Sequence, residues 1–461
     1  MTFDFRRPPM DILHMPAVHP GLSYVGDPPD WIIRPAKAAA VRLFAGSDDP
    51  ALCARQHAML VRQGRMMTEN VLEILSAPVV LENARFERGM VQLANRFWLN
   101  GASGSRVRTQ FATANDERWR LERLNRAIRR TRAKGPARIG THDAAEAAKL
   151  GVAIELKNGF NYYHFSTETL GSLAHFLNDG STAPIRIHLP SGKVKSFIRR
   201  FVATIFPSLA DRITFERAAG DYDRVRSVYS HQHLLYAVRD PMIDAVLAGV
   251  DPRWPPVLRD PSRFKQAAKF TYDSSLRLLR EAALAQLPRA GHSSTPRLIW
   301  MGRDEGQGAR VRGIEGHKPL LEELAALGFE QVAFEHLSPL EQVAAMNGAD
   351  IVIAPHGAGL ANMIYARPGA TVIEIGTRQT QLHRWGDFLK CAHVSRCNYD
   401  TVFADIEGVD ADARVPAMSD GHRGIRVGRN ATDRVIAIVG EVLGRASAPL
   451  EAPQHRMTGT R

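Results

Sequence analysis

Two short stretches of this chain combine residue types suited to acid–base and anion chemistry. In Asn161-Tyr-Tyr-His-Phe-Ser-Thr-Glu168, His164 and Glu168 stand four residues apart just after an expected strand. On a helix that spacing puts both side chains on one face, where imidazole and carboxylate share a proton and either can serve as general base near neutral pH. Spacing alone also fits a helix-stabilising polar pair above two packed aromatics. In Ile351-Val-Ile-Ala-Pro-His-Gly-Ala-Gly-Leu360, a buried-type apolar run ends at Pro355 and His356, and a Gly-Ala-Gly turn opens a short helix. Strand, turn and helix N-terminus together offer backbone N–H groups and a positive dipole end, which suit a phosphate and above all a sugar nucleotide's diphosphate. His356 adds a proton-bearing side chain at that lip.

Two further residues belong at the same rim. Arg303 follows the expected strand 297–301, where a guanidinium clamps a diphosphate through two parallel hydrogen bonds. Read alone, it is equally a surface arginine. Glu374 lies in the expected strand 371–375, as a carboxylate for ribose hydroxyls or as an edge or capping group. The two Asp-x-Asp triplets, Asp221-Tyr-Asp223 and Asp410-Ala-Asp412, fall in polar, turn-like sequence and not after an apolar run. No metal role is therefore assigned, and no cofactor is expected.

The elements that must carry these residues alternate from about 150 onward. Strands are expected at 152–156, 185–189, 212–216 and 225–229, with helices over 162–177, 194–205 and 262–287. A Ser/Pro/Gly stretch over 288–296 marks a domain boundary. Beyond it come strand 297–301, a helix through Leu320–Leu327, strand 331–334 and a helix opened by the capping box Ser338-Pro-Leu-Glu341. Strand 350–354 then leads into the glycine turn. This alternation predicts α/β architecture with parallel sheets, whose ligands sit beyond the carboxyl ends of the strands. Residues 82–93 fit a hairpin. The expected domains are a 1–140 extension of unknown role, 141–290, 291–445 and a disordered tail 446–461.

Composition narrows the class. The 461 residues are 44% hydrophobic and 23% charged, as in ordinary globular proteins. No apolar run is long enough to span a bilayer, and the N-terminus lacks a signal peptide's apolar core, so a cytoplasmic protein is expected. Three cysteines make no disulfide framework. The net charge of +12 points to a polyanionic partner or an anionic surface. Much of it lies in 117–134, where Leu121, Leu124 and Ile128 recur at helical spacing among arginines. That pattern fits a peripheral membrane helix or an arginine-rich helix packed on its own domain. The basic residues are not interleaved with aromatics, so no nucleic-acid partner is expected.

Together these blocks resemble the glycosyltransferase 61 family of capsular polysaccharide biosynthesis-type proteins. Three segments carry the resemblance: Asn161-Tyr-Tyr-His-x-x-x-Glu168; Arg303 with Arg312 and Glu315; and Asp350 through Ile375, with Pro-His-Gly-Ala-Gly-Leu inside it. The chain departs from the family pattern with Glu168 where aspartate is commoner, Gly302 for serine and Ile314 for asparagine. The resemblance implies a GT-B-like architecture, two Rossmann-like domains facing across a cleft, with an extra N-terminal region here. It implies inverting, metal-independent transfer of a sugar from a nucleotide-sugar donor to a hydroxyl of a glycan or lipid-linked acceptor. Carried onto this chain, Glu168 and His164 are catalytic, with Asn161 and Tyr163 on the acceptor side. Arg303, Glu315, His356, Gly357, Ala358, Gly359, Leu360 and Glu374 hold the donor. The competing reading is a non-catalytic module that binds nucleotide sugars or polysaccharide.

Overall fold

The computed structural model describes residues 13–14, 16, 19–67, 71–87, 89–98, 100, 139–156, 161–190, 194–232, 269–287, 295–302, 313–410 and 413–444. Arg303, Arg312, the stretch 117–134, most of the 288–296 boundary and the tail 446–461 lie outside these. The chain is α/β and divides into two compact units. One comprises Met1–Pro35 with Leu72–Ala282, the other Ala36–Val71 with Ala283–Arg461. The first 140 residues, expected as an extension of their own, are thus shared between both units. The reason is strand pairing, since each sheet takes a strand from this region.

In the first unit, Val152–Glu155, Ile185–His188 and Ile213–Glu216 lie parallel and in register, close to the apolar runs that predicted them. Gly220–Ser230 joins the sheet beside Val152 and pairs antiparallel with Ser76–Glu87. That long partner explains why the strand begins at Gly220 and not at 225. It also draws Asp221-Tyr-Asp223 out of the expected turn and into a strand, where Asp221 accepts two hydrogen bonds from Arg85 (2.9 and 3.0 Å). The hairpin expected at 82–93 is present, Ser76–Glu87 turning into Met90–Leu93. Of the helix expected over 262–287, residues 262–268 lie outside the described residues, Thr271–Asp273 is a strand and the helix runs Ser274–Leu284. Asp273 makes that break, because its carboxylate accepts from the backbone N–H of Ser275 (2.8 Å) and turns the chain. Leu81, Phe86, Val91, Trp98 and Ala153 centre the core.

The second unit holds a parallel sheet in the order Val41–Ala45, Asn398–Ile406, Thr371–Thr377, Ile351–Pro355, Leu298–Gly302, Glu330–Ala333. Ile351–Pro355 and Thr371–Thr377 are buried at every position, as parallel strands covered on both faces must be. Their apolar runs made them legible in sequence. The Ser338–Glu341 capping box forms as expected: Glu341 N donates to Ser338 Oγ (3.3 Å), and Ser338 N donates to Glu341 Oε2 (2.6 Å). Two distant contacts explain why residues 36–71 belong here. Arg42 donates to Asp400 (2.7 and 2.8 Å), and Asp48 accepts from the backbone N–H groups of Arg429 and Asn430 at the head of helix Arg429–Val442 (3.0 and 2.7 Å). Among the described residues, no helix is long and apolar enough to cross a membrane.

Candidate functional site

Each unit carries one cluster at the carboxyl end of its parallel strands. In the first, the chain leaves Val152–Glu155 and re-enters helix at Asn161. The Asn161 side chain caps that helix, accepting from the N–H groups of Tyr163 (2.9 Å) and His164 (3.4 Å). The helix expected over 162–177 forms, but in three gaits: an α-turn at Tyr162–His164, a π-turn at Phe165–Thr169 and a 3₁₀ run at Leu170–Phe176. π-Turns cost regularity and occur frequently at functional sites. Here the π-turn carries Glu168 and His164 stands at its head: His164 Nδ1 lies 2.8 Å from Glu168 Oε1. The carboxylate side chain is 15% exposed and the imidazole 32%, so the pair is sheltered but reachable. Tyr163 lies edge-on beside the His164 ring (5.3 Å), while Tyr162 and Phe165 pack down onto Phe197. The polar pair and its apolar underside therefore coexist. The 3₁₀ run sits hard against the helix Ser274–Leu284, since a Cβ on Gly171 would lie 2.5 Å from the Ser275 carbonyl oxygen.

The same strand ends hold two buried groups that the sequence reading passed over. Strand register sets Glu155 opposite His188. Glu155 accepts from Asn100 Nδ2 (3.1 Å). Burial lowers the His188 pKa to about 4, and its Nε2 meets the Tyr222 hydroxyl at 2.7 Å. A histidine held neutral in this way supports the sheet edge and does not carry charge at neutral pH.

In the second unit, Pro355 delivers His356 to the rim, and His356 N donates to Ile375 O (2.9 Å). The 3₁₀ helix Ala358–Tyr365 begins at once, with no side-chain cap on its N-terminus. Gly357 has extended backbone, and Gly359 lies so close to Met301 that a Cβ there would stand 3.2 Å from its sulfur. Leu360 turns into the core. The first turn thus has no side-chain cap, though Leu360 N donates to Gly357 O (3.0 Å).

Behind this turn runs a buried hydrogen-bonded chain. His356 Nδ1 is bonded to one oxygen of Glu374, and the Tyr399 hydroxyl donates to the other, with Thr401 Oγ1 3.5 Å from that second oxygen. Register explains the meeting: Glu374 faces Ala354 on one side and Thr401 on the other, and Tyr399 lies two residues earlier on the same face. A carboxylate can only accept here, so the imidazole proton resides on Nδ1. Burial first, and then the Glu374 carboxylate, push the Tyr399 phenol well above its usual range, so it stays a donor. Glu374 is only 4% exposed, with both oxygens engaged inward and not open toward a ribose. The His356 ring is flanked by Phe388 (5.4 Å) and His422 (5.6 Å).

Of the other expected residues, Glu315 lies exposed on the short edge strand Ile314–Glu315, in register with Arg426. The structure therefore unites His164 with Glu168, and His356 with Glu374 and the turn 357–360. Residues 162–373 match the family Glycosyltransferase 61. That segment carries the chain's likeness to the glycosyltransferase 61 family. The family segment opens one residue after the Asn161 cap and closes one residue before Glu374, so it contains His164, Glu168 and His356. It gives the chain the activity class of a glycosyltransferase, acting on a sugar donor and a glycan acceptor. No curated protein matches the chain. Tyr399 and His422 lie beyond the family segment. They gave no local signal, because each meets its partner only through a strand or loop that arrives from far along the chain.

Proposed function

We propose that the protein is an inverting, metal-independent glycosyltransferase that moves a sugar from a nucleotide-sugar donor to a hydroxyl of a glycan or lipid-linked glycan, in surface polysaccharide synthesis at the cytoplasmic side of a membrane. The proposal includes a GT-B-type arrangement, with the first unit serving the acceptor and the second the donor. The observation that carries it is the His164–Glu168 pair, hydrogen-bonded at 2.8 Å across the head of a π-turn inside the family segment.

The chemistry then follows. Glu168, oriented by His164, takes the proton of the acceptor hydroxyl as that oxygen forms its bond to the anomeric carbon. The bond from the anomeric carbon to the phosphate oxygen breaks on the opposite face, and the nucleotide diphosphate leaves. Charge developing on that oxygen is met by the first-turn N–H groups of Ala358 and Gly359 and by His356, whose Nδ1 proton is held on Glu374. Arg303 serves as a further clamp on the diphosphate. Asn161 and Tyr163 shape the acceptor side, the first by capping the helix and the second by lying against His164.

Glu168→Gln tests the reading. General-base catalysis contributes roughly 10²–10⁴-fold, so transfer should fall by about that factor while nucleotide-sugar binding, followed by calorimetry, holds. Unchanged turnover would remove Glu168 from the mechanism. A protein that binds donor but releases no nucleotide with any acceptor would instead be the binding module.

A further inference from the structure

The peptide unit that joins Tyr163 to His164 is held at both of its polar ends. Its N–H, that of His164, points at the Asn161 side-chain oxygen (3.4 Å), which also accepts from Tyr163 N (2.9 Å). Its C=O, that of Tyr163, accepts from Thr167 Oγ1 at 2.8 Å. Thr167 is buried, so water competes little for that bond. Two links of the same i to i+4 spacing therefore run side by side: Tyr163 O with Thr167 Oγ1 and, one residue on, His164 Nδ1 with Glu168 Oε1. A threonine hydroxyl that bonds back to the carbonyl four residues earlier competes with the helix ladder and bends it. The ladder gives way in this same stretch, where Leu170 N donates to Phe165 O, five residues back instead of four. The widened turn has no slack on its far side, because Gly171 lies against the Ser275 carbonyl oxygen with no room for a Cβ. Ser166 and Thr169 stand on the same turn and are buried too, yet their hydroxyls have no hydrogen-bond partner among the described residues. A hydroxyl buried here does not find a partner by default, and the Thr167 bond is a directed one.

We propose that Thr167 is a positioning residue for the His164–Glu168 pair: its hydroxyl fixes the Tyr163–His164 peptide, and with it the His164 ring, against the Glu168 carboxylate. This rests on the acid–base reading of that pair and adds the group that sets its geometry. A carboxylate only accepts, so contact with Glu168 keeps the proton of the neutral His164 ring on Nδ1 and leaves Nε2 as the acceptor. Without the hydroxyl, the peptide turns, the ring parts from Oε1, and the proton returns to Nε2, the position a free neutral imidazole prefers.

Thr167→Val keeps the branched shape and removes the hydroxyl, while Thr167→Ser keeps the hydroxyl and removes the methyl. Circular dichroism and melting confirm that each variant of the full chain is folded. With the histidine ring nitrogens labelled, and at a pH where the ring is neutral, NMR reads which nitrogen carries the proton. The His164 ring should be mainly Nδ1–H in the wild type and in Thr167→Ser, and mainly Nε2–H in Thr167→Val. Ser166→Ala, which deletes an unbonded hydroxyl from the same turn, should leave the ring as in the wild type. In the transfer assay used for Glu168→Gln, Thr167→Val should lower kcat by about tenfold to a hundredfold, the scale of a slightly misplaced catalytic group, with nucleotide-sugar binding unchanged. Thr167→Ser should restore it. An Nδ1–H ring in Thr167→Val overturns the inference whatever the turnover, and so does an equal change in Ser166→Ala. Full turnover in Thr167→Val where Glu168→Gln has lost it overturns it as well. Full turnover in both, with the ring changed in Thr167→Val alone, removes the acid–base reading and leaves the role of Thr167 in the pair's geometry standing.

Discussion

Replacing Tyr399 by phenylalanine isolates the buried chain behind the glycine turn. The substitution keeps the ring, which is 2% exposed, and deletes only the hydroxyl that donates to Glu374. A hydrogen bond to a charged group contributes roughly 1.5–3 kcal/mol, and a buried acceptor left short of donors adds to the loss. Thr401 Oγ1, at 3.5 Å, stands at the limit of hydrogen bonding and recovers little. The expected destabilisation is therefore about 2 kcal/mol, read as a lowered denaturant midpoint at unchanged slope, or as a fall of roughly 4–8 °C in melting temperature for a unit of this size. Thr401→Val is the comparison, expected to cost less than Tyr399→Phe because its hydroxyl stands 3.5 Å from Glu374. A Tyr399→Phe protein as stable as the wild type would show that the Tyr399 hydroxyl contributes nothing to this buried chain.

Two further expectations concern buried groups. His231 and His393 are both 1% exposed, and burial lowers their pKa values to about 4 and about 3. Their unfolded-state values lie near ~6.5, so below that pH the unfolded chain binds protons that the folded chain does not, and stability falls as pH drops toward 4. Each contributes about 1.4 kcal/mol per pH unit in that window. Urea midpoints measured from pH 7 to pH 5 should decline, less steeply in His393→Gln, where an amide oxygen replaces the Nδ1 that accepts from Ala39 N (3.1 Å). An unaltered slope would mean that His393 is not buried neutral. Burial also pushes the Cys391 thiol up to about 12. A thiol-specific disulfide reagent at pH 8 should therefore leave Cys391 unmodified in the native protein and react with it only in denaturant. Prompt native modification of Cys391 would contradict its placement.

Much of the fold was legible because parallel strands announce themselves. Ile351–Pro355 and Thr371–Thr377 are apolar runs bounded by Gly and Pro, and the Ser338–Glu341 box fixed a helix start by chemistry local to four residues. The His164–Glu168 pair was legible for the same reason: spacing on one helix decides it. What escaped was decided at a distance. Val41–Ala45 reads as an isolated apolar stretch until Asn398–Ile406 is beside it, and Asp48 is an ordinary acid until it meets a helix head some 380 residues later. Tyr399 and His422 carry no motif, because their partners stand on other strands and loops. Glu374 was placed correctly in its strand, but which way its carboxylate turned depended on Tyr399.

The discontinuous make-up of the second unit sets a schedule for synthesis. Val41–Ala45 emerges early, yet its sheet partner Asn398–Ile406 is translated some 350 residues later. At ~5–20 residues per second that interval is roughly 20–70 s. Throughout it, a five-residue strand with four buried positions to cover waits beside the exit tunnel with an open edge. A nascent chain of this kind is a natural client for chaperones that hold extended apolar segments. Truncating it from the front removes a strand from the back.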